Sequence, residues 1–329
     1  MVARMPAGVP AGDAVAMSEP EPAQAPRPTV RQWVSGARPR TLPLSVVSVA
    51  LGTGVAVAGT DGGGGAWAAD DHAVLVAVLC LVVALGLQVG VNYCNDYSDG
   101  VRGTDRFRRG AARLTGAGTA TPRSVLAVGL TSFALAAVAG VVVVVLTGLW
   151  WMLVVGAVTI VAAWYYTGGA RPYGYRALGE VSVFLFFGLV AVLGTQVAQL
   201  GHVTGAGWVA ACAAGLFACG VLMVNNIRDL EVDRLADKRT LAVVVGAPVA
   251  RGLYAVFMLA PFLLLVVLLV PGAPLALVAA AALAPALPAV RIGARPAAAP
   301  RLVTALQLSS AASLVYGLLL SAALVVTAS

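Results

Sequence analysis

Nine apolar runs of about 20 residues constrain this chain more than any other feature. They lie at 42–60, 73–95, 121–146, 149–167, 178–200, 206–228, 249–271, 273–290 and 302–326. A helix of that length matches the thickness of a bilayer. Because lipid offers no hydrogen bonds to the backbone, such runs form helices that satisfy their own polar groups. The sequence therefore predicts an all-α, polytopic membrane protein with nine transmembrane helices, consistent with a composition that is 60% hydrophobic and only 11% charged.

Basic residues give the predicted bundle an orientation. All 21 Lys and Arg residues fall on one side of the nine-run layout. The positive-inside rule makes that side cytoplasmic, which predicts a cytoplasmic N-terminus and an external C-terminus. We therefore expect a multi-pass protein of the cell membrane, surrounded by the lipid bilayer. The net charge of +7 reflects this orientation and gives no reason to expect a nucleic-acid partner.

The composition also predicts how the chain is divided. Residues 1–29 are rich in Ala and Pro and lack the apolar core of a signal peptide, so we expect a disordered cytoplasmic tail. Residues 30–329 are expected to form a single transmembrane domain. Within it, the pattern Asn-x-x-x-Asp closes the second and the sixth runs, at 92–96 and 225–229. This faint repeat predicts two four-helix halves and a ninth helix.

Seven of the 14 acidic residues lie in two segments, 92–105 and 225–239, each at the end of an apolar run. Carboxylates at the end of a membrane helix are costly to desolvate and need a partner such as a cation. In the second segment Asn or Asp recurs every four residues, so a helix would carry these side chains on one face, where like charges repel. Mg²⁺ takes one or two carboxylates and shares the rest of its shell with phosphate oxygens and water. We therefore predict Mg²⁺ holding a polyphosphate, with the metal ligands Asp96, Asp99, Asp105, Asp229, Asp233 and Asp237.

Other kinds of site fit these residues less well. The two histidines, His72 and His202, lie away from the acidic segments, which argues against a His-ligated metal or a Ser-His-Asp triad. No two of the four cysteines form a C-x-x-C pair. A CDP-alcohol phosphotransferase needs D-G-x-x-A-R, whereas Asp99-Gly100 is followed by Val-Arg-Gly-Thr. A secondary transporter would place charge near the bilayer midplane, whereas here it clusters at the ends of runs.

Four segments resemble a known family: 37–43, 95–105, 166–175 and 225–243. They are similar to the UbiA superfamily of intramembrane prenyltransferases, and most similar to its MenA type, the 1,4-dihydroxy-2-naphthoate polyprenyltransferases of menaquinone synthesis. The resemblance runs from about residue 30 to the end and is specific in these motifs. It implies a nine-helix UbiA-like bundle and Mg²⁺-dependent transfer of a polyprenyl group from polyprenyl diphosphate to 1,4-dihydroxy-2-naphthoate. Loss of CO₂ and diphosphate would give demethylmenaquinol. An acceptor from another branch, such as hydroxybenzoate, haem or a sugar phosphate, is the alternative.

The resemblance also implies roles for individual residues. Asp96, Asp99, Asp229 and Asp233 would be catalytic. The expected substrate-binding residues are Asn92, Asn225, Arg38, Arg102, Tyr166, Arg171, Arg228, Lys238 and Arg239. Arg38, Arg40 and Arg171 are the options for holding the carboxylate of the acceptor, although Arg171 stands five residues after Tyr166 where the superfamily often has Tyr-x-x-x-Lys. Candidates for shielding an allylic cation are Tyr165, Tyr166, Phe184, Phe186 and Phe187.

Overall fold

The computed structural model describes residues 28–103, 113–269 and 274–328. In these ranges the chain is helical, and one isolated bridge, between Arg176 and Arg239, is the only extended pairing. The helices are α1 Val30–Gly36, α2 Pro43–Gly59, α3 Gly63–Ala69, α4 Ala73–Arg102, α5 Pro122–Thr147, α6 Met152–Thr167, α7 Gly179–Leu200, α8 Gly205–Leu235, α9 Leu241–Leu269, α10 Pro274–Gly293 and α11 Ala299–Ala328. Most of the predicted tail, together with Asp105, lies outside the described residues.

Each predicted apolar run coincides with a helix, but the predicted nine spans are not confirmed. Seven described helices, α4, α5 and α7 to α11, are long and apolar enough to cross a membrane. Helix α2 qualifies only together with α3, from which it is bent by 107°, and this pair raises the number to eight. Helix α6 is apolar but has only 16 residues. The chain is therefore a multi-span helical membrane protein.

Local sequence determines where several helices begin and end. Thr121 and Thr204 cap α5 and α8, since their side chains accept hydrogen bonds from Ser124 N and Gly207 N at 3.2 and 3.1 Å. Helix α4 ends at Arg102 and is capped by Gly103, whose φ of 73° places it in the left-handed region that glycine adopts without strain.

Helix α8 lies at the centre of the bundle. Its inner faces carry small residues, including Ala211, Ala214 and Gly215, which let neighbouring backbones approach closely. Helix α7 packs directly against it: a Cβ on Gly188 would stand 2.6 Å from the carbonyl oxygen of Ala211. The middle of α7, Phe184–Leu193, is wound as a π-helix. The first turn of α7 lies beside the C-terminal half of α8, where Glu180 contacts Cys219 and Asn226.

The ends of α4 and α8 lie at one end of the bundle, here called the motif end. Helix α1 and the segment after it cover the end of α4, where Asn92 Nδ2 donates to the carbonyl of Ala37 at 2.9 Å. The segment after α6 is joined to the segment after α8 by backbone hydrogen bonds from Ala177 N to Arg239 O, at 2.8 Å, and from Arg239 N to Tyr175 O, at 3.2 Å. Residues near the ends of α4 and α8 line a common cavity.

Candidate active site

A cavity of about 1130 Å³ connects the two acidic segments. At the motif end its polar lining includes Asn92, Asn95, Asp96, Asn225, Asn226, Arg228, Asp229, Asp233 and Lys238. Away from that end the walls are apolar and include Leu87, Val91, Val141, Ile160, Phe186 and Val190. Along α4 the lining runs from Cys80 to Asp96, which corresponds to about 24 Å of helix. The cavity can therefore take a ligand with an anionic head and a long hydrocarbon tail.

Asp96 lines the cavity and also anchors the segment after residue 112. Its two carboxylate oxygens accept hydrogen bonds from the backbone of that segment, from Thr115 N at 3.0 Å and Leu114 N at 3.1 Å. Gly100 makes this approach possible, because a Cβ there would stand 2.3 Å from the Thr115 side chain. Asp96 is thus held in a fixed position by backbone donors.

Asp99 is the centre of a separate buried network and does not line the cavity. Its carboxylate accepts hydrogen bonds from the guanidinium of Arg113 and from the hydroxyl of Tyr175. In the orientation that satisfies both neighbours, the amide of Asn95 donates to Asp99 Oδ2 at 3.0 Å and accepts from Arg38 Nη2 at 2.8 Å. Burial, together with the neighbouring carboxylate, raises the pKa of Tyr175, so its hydroxyl stays protonated and donates.

In the second segment Asp229 and Asp233 line the cavity, whereas Asp237 does not. Asp229 forms a two-pronged pair with Arg228, with Nε–Oδ1 and Nη2–Oδ2 distances of 2.7 and 2.6 Å. The predicted four-residue stripe ends at Asp233, because α8 terminates at Leu235 and Asp237 adopts a left-handed conformation with φ of 52°. The Asp237 side chain is exposed, and its role as a metal ligand stays a prediction.

Of the predicted basic residues, some line the cavity and others do not. Arg38, Arg40, Arg228 and Lys238 line the cavity, and Lys238 Nζ lies 4.8 Å from the centroid of the Tyr175 ring. Arg102, Arg171 and Arg239 are exposed and do not line it. The guanidinium of Arg102 instead donates to the carbonyl oxygens of Thr167, at 2.7 Å, and of Gly169, so it supports the segment after α6.

Among the candidate aromatic residues, Tyr166, Phe186 and Phe187 line the cavity. Tyr165 is 51% exposed on the surface. Phe184 packs on α8 instead, where a Cβ on Gly215 would stand 2.6 Å from its ring.

The lining also includes Arg113, Tyr173, Tyr175 and Glu180, which the sequence patterns did not single out as site residues. Glu180 is buried, with 4% of its surface exposed, in the first turn of α7. A sequence criterion could have found it, since an ionisable residue inside an apolar run is functional by default. The other three can be assigned to the site only from the contacts that they make in the folded protein.

The donor set of the cavity suits Mg²⁺. Across the described ranges, no three His, Cys, Asp or Glu side chains converge closely enough to hold a metal ion by themselves. Mg²⁺ does not need such a cage, because it usually takes one or two carboxylates and completes its shell with substrate phosphates and water. Asp96, Asp229 and Asp233, which approach the cavity from two helices, match that requirement.

Known proteins share sequence similarity with most of this chain. Residues 49–310 match the UbiA prenyltransferase family. The chain is 49% identical over 225 residues to the 1,4-dihydroxy-2-naphthoate octaprenyltransferase of Mycobacterium tuberculosis, which covers 68% of this chain and 73% of that protein. It is 35% identical over 232 residues to the protein of the same name in Escherichia coli, covering 68% and 71%.

The fold resembles a solved structure as well. A UbiA homolog from Archaeoglobus fulgidus, bound to DMAPP and Mg²⁺, superposes with a TM-score of 0.60 over 88% of this chain and 99% of that one, at 15% identity. That likeness concerns the fold alone. From its match over 262 residues (49–310), and from relatives of 35 to 49% identity, the chain belongs to the UbiA prenyltransferase family.

Proposed function

We propose that this protein transfers a polyprenyl group from polyprenyl diphosphate to 1,4-dihydroxy-2-naphthoate, with loss of CO₂ and diphosphate, to give demethylmenaquinol for menaquinone synthesis. The observation that carries the proposal is the cavity: carboxylates and basic side chains at the motif end continue into a long apolar wall. The names of the relatives from M. tuberculosis and E. coli support the choice of acceptor.

Mg²⁺ is the cofactor we infer, held by Asp96, Asp229 and Asp233, with Asn92 and Asn225 nearby in the lining. When bound, it supplies electrostatic stabilisation of the charge that develops on diphosphate as the allylic C–O bond breaks. The Mg²⁺ in the structure of the A. fulgidus homolog supports this choice of metal.

The basic residues of the lining bind the diphosphate oxygens. Arg228 neutralises Asp229 in this structure. When a diphosphate and its metal ion bind, the Arg228 guanidinium would bind phosphate oxygens in a two-pronged way. Asp229 would then be released to bind the metal ion. Lys238 and Arg38 add further positive charge to the same end of the cavity. We assign Asp99 a positioning role, since it holds Arg113 and Tyr175, which both line the cavity.

The apolar part of the cavity protects the allylic cation. Its walls exclude water, which would otherwise hydrolyse the activated donor. Tyr166, Phe186 and Phe187 line the cavity and offer aromatic faces that attract a cation. For the carboxylate of the acceptor we favour Arg38 and Arg40, because both line the cavity whereas Arg171 does not.

For the membrane arrangement we propose the nine-helix bundle in the cell membrane, with the motif end and the N-terminus in the cytoplasm and the C-terminus outside. The 16 residues of α6 would span about 24 Å, short of the usual 30 Å but close enough for local thinning of the bilayer. The distribution of the 21 basic residues supports this orientation.

A direct assay tests the proposed activity. Purified protein is given Mg²⁺, a polyprenyl diphosphate and either 1,4-dihydroxy-2-naphthoate or 4-hydroxybenzoate, and the products are identified by mass spectrometry. We expect prenylated, decarboxylated product from the naphthoate only. Efficient prenylation of hydroxybenzoate in its place would assign the chain to another branch of the family.

A further inference from the structure

Glu180 is the acidic residue of the cavity that the proposed chemistry has not used. It lies in the first turn of α7, lines the cavity and is 4% exposed. A buried carboxylate is expensive to keep unless hydrogen bonds or charges compensate for its lost hydration. Its presence in a membrane protein with only 14 acidic residues therefore calls for a partner.

The two oxygens of this carboxylate have different surroundings. Oε1 accepts a hydrogen bond from Nδ2 of Asn226, on α8, at 2.9 Å. Oε2 is buried, and no described residue donates a hydrogen bond to it. Such an unsatisfied acceptor favours a ligand that supplies a hydrogen-bond donor. One oxygen thus fixes the side chain, and the other is an unsatisfied acceptor on a residue that lines the cavity.

The surroundings of Glu180 suit a flat aromatic ligand better than a metal ion. Glu180 is not part of a group of three metal-ligating side chains in the described part of the chain. The hydroxyl of Tyr166 lies 3.3 Å from the position of a Cβ on Gly179, the residue before Glu180. The ring of Tyr166 in turn meets that of Tyr173 edge-on, with centroids 5.5 Å apart. Two aromatic side chains therefore line the cavity together with Glu180, and one of them lies against the residue before it.

We propose that Glu180 Oε2 binds a ring hydroxyl of the aromatic acceptor and takes its proton as the ring attacks the prenyl group. This inference rests on the proposed function, and it assigns the residue that recognises the hydroxyl next to the attacked carbon, the 4-hydroxyl of 1,4-dihydroxy-2-naphthoate. A hydrogen bond from a phenol to a carboxylate is short and strong. It also raises electron density on the ring carbons, as general base catalysis requires.

The ring carbon between the carboxylate carbon and the 4-hydroxyl carbon forms a bond to C1 of the prenyl group, and the allylic C–O bond breaks with its electron pair leaving on diphosphate. The 4-hydroxyl proton moves to Glu180, which leaves a ketone at that position. The carboxylate departs as CO₂, and a proton takes its place on the ring. The attacked carbon loses its own hydrogen as a proton while Glu180 returns its proton to the ketone oxygen, so the hydroquinone forms with no net proton released.

The test combines a variant with an analogue of the acceptor. Glu180→Gln keeps the size of the side chain but can present an amide donor where the hydroxyl needs an acceptor. We expect kcat to fall by about a hundredfold and KM for 1,4-dihydroxy-2-naphthoate to rise about tenfold, with the Kd for the prenyl diphosphate unchanged. As an inhibitor, 1-hydroxy-2-naphthoate, which lacks the 4-hydroxyl, should bind wild type and Glu180→Gln equally.

Two further measurements keep the outcome independent of any folding defect. In the wild-type protein alone, 1-hydroxy-2-naphthoate should bind about tenfold more weakly than the dihydroxy acid, as expected for one charge-assisted hydrogen bond. Glu180→Asp, which keeps the charge, should recover part of kcat. Glu231→Gln is the matched control, because its side chain is 76% exposed outside the cavity, and it should behave as wild type.

If wild type and Glu180→Gln turn over dihydroxynaphthoate equally fast, the role of Glu180 is overturned and the proposed function is left intact. The same holds if Glu180→Gln weakens the binding of both aromatic acids by the same factor. A weakened Kd for the prenyl diphosphate would identify Glu180 with the diphosphate and metal site instead, which also overturns the proposal. A wild-type protein that does not prenylate dihydroxynaphthoate would overturn the proposed function itself, and the assignment of Glu180 with it.

Discussion

At the scale of single residues, three aspartates that look alike in the sequence have different surroundings. Asp229 lines the cavity and is paired with Arg228. Asp99, in the other acidic segment, is buried against Arg113 and Tyr175 and does not reach the cavity. Asp237 is exposed beyond the end of α8. We therefore expect the three to respond differently to loss of the charge.

Asp229→Asn and Asp233→Asn should each abolish most of the activity. An amide keeps the size of the side chain but loses the charge that binds Mg²⁺, and metal stabilisation is worth several kcal/mol, so turnover should fall at least about a hundredfold. Initial rates at saturating Mg²⁺ measure the effect, with Asp61→Asn, an exposed aspartate in the connection between α2 and α3, as the matched control. Rates near wild type in both cavity variants would contradict the assignment of these carboxylates to the metal.

Asp99 and Arg113 should behave as a structural pair. Removing one partner of a buried ion pair costs about 3–5 kcal/mol, because the other charge stays buried. Asp99→Asn and Arg113→Gln should each lower the melting temperature, and the double variant should lose clearly less than the sum of the two. Additive losses in thermal unfolding of the purified proteins would show that the two side chains act independently.

At the scale of helices, the apolar runs predicted where the helices lie because length and hydropathy decide that a segment enters the bilayer. The same criteria could not predict the 107° bend between α2 and α3, or the break at Gly246 inside α9, where φ is 79°. Such bends depend on contacts with distant helices. For the same reason Arg113 and Tyr175 escaped notice, since each acquires its meaning from a partner remote in sequence.

The contact between α7 and α8 gives a prediction at this scale. Gly188→Ala would bring a Cβ to 2.6 Å from the backbone oxygen of Ala211, so the two helices must move apart. We expect a loss of about 1–3 kcal/mol in stability, typical of overpacking. Gly252→Ala on α9 is the control, because a Cβ there meets no atom within 4 Å, and it should be neutral or slightly stabilising. Equal melting temperatures for Gly188→Ala and wild type would contradict the close packing of α7 on α8.

At the scale of the whole molecule, the bundle gathers charge at one end and presents apolar walls along the cavity. In the proposed function, this arrangement lets a lipid-soluble donor keep its tail in an apolar environment while its anionic head meets Arg228 and the Mg²⁺ that Asp229 and Asp233 would hold. In the proposed orientation, the motif end faces the cytoplasm and is accessible to a soluble aromatic acid. The connection between α2 and α3 would then face the opposite side.

Cysteine labelling tests that orientation. On a background without the four native cysteines, Gly65→Cys and Ala117→Cys place thiols at exposed positions near opposite ends of the bundle. We expect an impermeant thiol reagent to label Gly65→Cys in intact cells, and Ala117→Cys only after the membrane is permeabilised. The reverse labelling would contradict a cytoplasmic motif end.

The most direct measurement records CO₂ release and prenyl transfer in the same reaction. Purified protein with Mg²⁺ receives a polyprenyl diphosphate and 1,4-dihydroxy-2-naphthoate labelled in its carboxyl group, and the released CO₂ is counted against the prenylated product. We predict one CO₂ for each prenyl group transferred, and no release when the metal is chelated. Label retained in the prenylated product, or transfer that persists without a divalent metal, would contradict the account.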